Sequence, residues 1–156
     1  MKKSIIIILL ITTVVASCKN NDKKEESEIP QEAAQEQVDD LLSTEWMKEI
    51  QLNNGAKWEA NIETTEGARK MQELLKTQTT STLDDYHQFA SKLNDVKKKV
   101  VKECTMKGAS HDNLHIWLYP LIEKIAALSK TNDLGEASKI KQSIEENIDA
   151  YNTYFN

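Results

Sequence analysis

Between Cys104 and His115 the chain gathers a thiol, the thioether of Met106 and two of its three histidines, His111 and His115. Thiolate, thioether and imidazole are the soft and borderline ligands that select Cu(I) or Zn(II) over Mg(II) or Ca(II). No other segment combines such groups, so the first question is whether these side chains can meet. On one unbroken helix, rising about 1.5 Å per residue, Cys104 would stand roughly 10 Å from His111 and roughly 16 Å from His115 along the axis. Bonds of about 2.0–2.3 Å cannot bridge that gap. A shared site therefore needs the chain to reverse at Gly108, the structural hinge of the proposal. Gly108 can adopt a left-handed conformation that ends one helix, and Ser110 can cap the next. His111 and His115, one turn apart, would then face Cys104, with Met106 swinging in from the turn.

Each of these residues also has a plain structural reading. Cys104 lies on an apolar stripe and can be a small buried hydrophobe, Met106 core filler, and the histidines members of a polar layer. The metal reading rests on all of them clustering.

The elements that must position the cluster are helical. Asn61 to Lys76 places Ala68, Met71 and Leu75 on one face. Ser81 with Asp84 looks like a cap for a second helix, whose stripe is Tyr86, Phe89, Leu93, Val96, Val100 and Cys104. A third carries His111, Leu114, Leu118, Leu121, Ile125 and Leu128, with His115 and Ile122 beside them and Pro120 as an expected kink. A fourth, from about Thr131 to Asp133, repeats Ile140, Ile144, Ile148, Tyr151 and Phe155. Upstream, Asn53-Asn54-Gly55 suits a tight turn and can close a small hairpin between Glu49–Leu52 and Lys57–Trp58. The expected fold is all-α, an antiparallel four-helix bundle over residues 45–156 with a small N-terminal β-hairpin.

The N-terminus reads as an export signal. Lys2 and Lys3 precede the apolar run Ile5–Val15, about half the length that spans a membrane. Ala16 and Ser17 then lead into Cys18, a sequence that resembles the lipobox of bacterial lipoproteins. That resemblance implies that residues 1–17 are removed and that Cys18 is acylated, anchoring the protein to a membrane. Residues 18–44 are expected to be a lipidated, largely disordered tether, because charged residues without large apolar ones follow Cys18. The Lys-Asn-Asn-Asp-Lys-Lys-Glu-Glu-Ser-Glu stretch also resembles, loosely, the acidic export tag of Bacteroidota lipoproteins. The expected location is thus the outer membrane, facing the periplasm or the cell surface. If Cys18 is acylated, Cys104 has no partner within the chain.

The run Cys-Thr-Met-Lys-Gly-x-x-His-x-x-Leu-His, with Trp117 and Pro120 following, resembles a segment of small exported Bacteroidota proteins associated with heavy-metal handling. Asn54-Gly55-x-Lys57-Trp58 and Tyr151-Asn-Thr-Tyr-Phe155 extend the likeness over most of residues 45–156. It implies a helical, exported, copper-binding domain and no reaction.

Other functions find little support. The formal charge of −5 becomes two units more negative when Lys2 and Lys3 are removed, which disfavours nucleic acid as a partner. There is no phosphate-binding glycine loop and no Cys-x-x-Cys-His haem-attachment motif. Asp84-x-x-His87 lacks the further carboxylates of a di-iron centre, so His87 is expected to be exposed or capping. No oxyanion-binding loop accompanies Cys104. Trp46, Trp58 and Trp117 are expected to pack rather than form a ligand cage. The sequence points to a lipid-anchored, non-enzymatic protein that binds Cu(I) through Cys104, Met106, His111 and His115, with Zn(II) possible. Its protein partner is not identified. A helical interaction module without metal is the alternative, and non-covalent haem a minor one.

Overall fold

Thr82 shows how closely local chemistry sets the elements. Its hydroxyl accepts from the Asp85 backbone N–H at 3.2 Å, while Asp85 Oδ2 accepts from the Thr82 N–H at 2.8 Å. This reciprocal capping box starts the helix at Leu83, one residue later than the Ser81–Asp84 pairing expects. Ser81 instead donates its backbone N–H to Asp85.

The computed structural model describes residues 38–156. The segment expected to be a signal peptide, the expected lipidation site Cys18 and the expected tether up to residue 37 lie outside the described residues. Those described are all-α. The helices are α1 (Trp46–Glu49), α2 (Ile62–Thr77), α3 (Leu83–Glu103), α4 (Ala109–Leu128) and α5 (Leu134–Tyr154), with a helical turn at 38–41 ahead of them. Leu41 and Leu42, within the span assigned to the tether, pack against the core. None of these helices is long and apolar enough to cross a membrane.

Consecutive long helices pack on each other, α5 returns to α2, and α1 lies on α4. The apolar stripes meet inside: Met71, Phe89, Leu93, Trp117, Leu121, Ile140, Ile144 and Ile148 are fully buried. Each such side chain contributes about 1.5–3 kcal/mol relative to leaving it in water. Gly67 lets α2 approach α3 closely, since a Cβ there would stand 2.1 Å from Val100 Cγ2.

The described residues contain no strand. Asn54 and Gly55 both take positive φ, 51° and 88°, as a two-residue reversing turn requires. Asn53 and Ala56 exchange backbone bonds across it at 2.8 and 3.0 Å. The expected hairpin stops there, because the backbone of Trp58 is engaged elsewhere. Its N–H donates to the Tyr154 carbonyl and its own carbonyl accepts from Asn156, forming a single parallel bridge with Phe155. The Trp58 indole donates back to the Gln51 carbonyl at 2.6 Å, holding the loop against the C-terminus.

Candidate functional site

Helix α3 ends at Glu103, whose carbonyl accepts from Asn61 Nδ2 at 3.1 Å. Cys104 is therefore not the last member of the helical stripe. It is the C-cap residue, in extended backbone, half-buried against the core. It lies near Tyr151, whose phenol burial raises above its usual range; a hydrogen bond with Thr65 opposes this and Cys104 adds to it. Met106 is half-buried and also packs against the core.

Gly108 has φ +62° and ψ −147°, a backbone region open essentially to glycine alone. It serves as N-cap of α4 rather than as the end of α3, and its carbonyl accepts from the Asp112 N–H at 3.0 Å. Ser110 is inside α4 and caps nothing; its hydroxyl donates to the Lys107 carbonyl at 3.2 Å. His111 and His115 sit in the first two turns of α4, to the side of its apolar stripe. Both are half-buried, while Leu114, Trp117 and Leu118 take the core.

The two imidazoles come together. Their ring centroids are 4.1 Å apart and tilted by 55°. Tyr119, one turn further on, continues the ladder with its ring 4.8 Å from that of His115. Its hydroxyl shares a 3.1 Å hydrogen bond with His115 Nδ1. The thiol does not join them: among the described residues no three His, Cys, Asp or Glu side chains are placed to hold one metal ion. The chain thus brings together half of the expected ligand set. The thiol and thioether remain on the non-helical link between α3 and α4.

His87 is neither exposed nor a cap of its own helix. It is half-buried, and its Nε2 bonds the Thr131 carbonyl at 2.9 Å, pinning α3 to the α4–α5 connection. Trp46 and Trp117 pack in the core as expected.

Two buried polar residues escaped the sequence reading. Lys124 and Asn147 are 1% and 0% exposed, and Lys124 Nζ donates to Asn147 Oδ1. Asn147 Nδ2 donates to the Trp117 carbonyl at 3.0 Å, and the Trp117 indole donates to the Asn147 carbonyl at 2.7 Å. Their signal was in the spacing: Trp117, Leu121, Lys124 and Leu128 step by four, three and four, as do Ile140, Ile144, Asn147 and Tyr151. A polar residue at helical period on an apolar face is a buried one. Burial lowers the Lys124 pKa to about 8, with Glu146 opposing the shift.

No protein-family model, curated protein or solved structure matches the chain.

Proposed function

We propose that the chain is a lipid-anchored, exported, non-enzymatic protein whose helices form an antiparallel four-helix bundle and whose α3–α4 corner binds a soft metal ion, Cu(I) foremost. The observation that carries this reading is the pairing of His111 and His115 at 4.1 Å on one face of α4. Imidazole suits copper and zinc, and a hydrogen bond in which His115 Nδ1–H donates to the Tyr119 hydroxyl is the kind of outer contact that fixes a ring ligating through Nε2. Cys104 and Met106 supply the soft ligands once the 104–107 link moves toward the histidines. Buffering, tolerance or delivery of the metal at the outer membrane, facing the periplasm or the cell surface, is the role this chemistry serves. Acylation of Cys18 provides the anchor.

A competition titration of reduced protein lacking residues 1–17 against a chromogenic Cu(I) chelator tests the reading. The protein withdraws Cu(I), and His111→Ala, His115→Ala and Cys104→Ala each weaken it by roughly tenfold or more, while His87→Ala leaves it unchanged. Preference for Zn(II) in the same assay would reassign the metal, and a Soret band on adding haemin would reassign the cofactor. If Cu(I) stays entirely on the chelator, the metal reading fails. The second reading, a metal-free interaction bundle, would then stand. The lack of a three-ligand group among the described residues favours it.

A further inference from the structure

We infer that residues 50–61 act as a strap across the candidate ligand corner, with Asn61 as the positioning residue that restrains Cys104. The strap runs from the buried Ile50 to Asn61, the N-cap residue of α2. Near its first end the Gln51 N–H donates to Asn113 Oδ1 at 2.8 Å. Asn113 Nδ2 in turn donates to the carbonyl of Ala109, where α4 begins. At the other end Asn61 Nδ2 donates to the Glu103 carbonyl at 3.1 Å, where α3 stops. The strap therefore bonds both flanks of the link that carries Cys104 and Met106.

Its own shape is fixed from within and from outside. The Trp58 indole folds it back onto the Gln51 carbonyl, and the bonds between Asn53 and Ala56 close the turn between them. Asn156 clamps the second half. Its N–H donates to the Trp58 carbonyl and its own carbonyl accepts from the Ala60 N–H, both at 3.1 Å, while Nδ2 donates to Glu59 Oε1 at 2.9 Å. Phe155 beside it is 1% exposed, so the clamp is seated in the core. Asn61 is equally committed. Its Oδ1 accepts from the buried Thr64 hydroxyl at 2.6 Å, and Nδ2 also donates to Glu63 Oε2 at 2.7 Å.

Peptide geometry says what the bond to Glu103 restrains. The Glu103 carbonyl and the Cys104 Cα lie in one planar unit. Cys104 therefore cannot swing away from the end of α3 without drawing that carbonyl off Asn61. Among the described residues, Cys104, Thr105 and Met106 enter no turn or side-chain hydrogen bond. Beyond their packing against the core, the link is held at its ends. Releasing Asn61 frees it to approach His111 and His115. That closure on a soft metal ion rests on the proposed function, whereas the restraint on Cys104 does not. A strap that favours the open link lowers the fraction of chains competent to bind, so loosening it tightens apparent affinity by the same factor.

The test uses the full chain in detergent with Cys18→Ser, which leaves Cys104 as the one thiol. Asn61→Ser keeps a good N-cap but carries no amide donor. Alkylation of Cys104 by uncharged iodoacetamide becomes faster in this variant by about fivefold, a factor that one lost hydrogen bond supplies. Asn61→Asp, which keeps an acceptor and loses the donor, behaves alike. Thr82→Ala loses its capping hydroxyl at the opposite end of α3 and leaves the rate unchanged, which separates release of the link from general loosening. In a Cu(I) competition titration Asn61→Ser holds the metal several-fold more tightly than its parent. Unchanged alkylation in both Asn61 variants, or an equal rise in Thr82→Ala, overturns the strap. A faster thiol with Cu(I) held no more tightly overturns its control of metal binding. Cu(I) left on the chelator by every variant overturns the metal reading, and the alkylation rates alone then decide the strap.

Discussion

Lys124 Nζ donates to Asn147 Oδ1 at 3.2 Å across the α4–α5 interface, on a side chain only 1% exposed. An ammonium group needs more partners than one amide oxygen supplies, so the interior disfavours its charge. Asn147 is committed on its other side, through Nδ2 and its carbonyl, to Trp117. The two helices are thus aligned by a polar network at the centre of their contact, at some cost in stability.

That cost depends on pH. The Lys124 pKa falls from 10.5 to about 8 on folding. Below about pH 8 both states hold the proton and the full penalty stands. Between about 8 and 10.5 the unfolded chain binds the proton and the folded chain does not, so stability rises with pH. A fall of that size corresponds to about 3 kcal/mol over the whole window. Tyr151, whose phenol is raised on folding, contributes stability that is lost as pH climbs above about 10, so the rise should flatten there. Urea unfolding at a series of pH values should show this increase. Lys124→Met should abolish the slope, though it leaves Asn147 Oδ1 without its donor at about 1–3 kcal/mol. An unchanged slope in the variant would locate the titration elsewhere.

Gly67 and Val100 make a second coupled pair. A methyl at position 67 would overlap Val100 Cγ2, a branch on the buried face of α3. The ordinary gain of alanine over glycine within a helix, about 1 kcal/mol, is therefore reversed. Gly67→Ala should destabilise by about 1–3 kcal/mol, the usual cost of overpacking. Val100→Ala alone should also destabilise, through the cavity it leaves. The double variant should be more stable than the sum of the single losses, because the new methyl occupies the vacated space. Additive losses in a denaturation cycle would count against the close approach of α2 and α3.

The helices were legible in the sequence because their burial follows a strict period. Phe89, Leu93, Val96 and Val100 announce both the helix and its inward face, as do Ile140, Ile144 and Ile148. The small errors arose where several residues offer the same local chemistry. Ser81 and Thr82 are adjacent hydroxyls and Asp84 and Asp85 adjacent carboxylates, so only the fold decides which pair closes the capping box. The hairpin failed for a long-range reason, since Trp58 pairs with a residue at the far end of the chain. At the candidate site, the separation of His111 and His115 follows from helix geometry alone. The position of Cys104 depends on where α3 stops, which spacing cannot state to the residue. The packing of α1 on α4 was not legible, because α1 has a single turn and no periodic pattern.

The corner that carries the candidate ligands yields the last prediction, a contrast among three helix starts. Gly108 holds a backbone conformation that other residues reach only with strain, yet a Cβ there would meet nothing within 4 Å. Gly108→Ala should therefore cost about 1–3 kcal/mol through the backbone alone. Thr82→Ala removes the side-chain half of a capping box, leaving the backbone N–H of residue 82 to donate to Asp85, and should cost about 1 kcal/mol. Ser110→Ala removes only a bond to the Lys107 carbonyl, within a helix that favours alanine, and should change stability by less than about 0.5 kcal/mol. Thermal denaturation of the three variants ranks them. A Ser110→Ala loss as large as that of Thr82→Ala would mean that α4 starts at Ser110 after all.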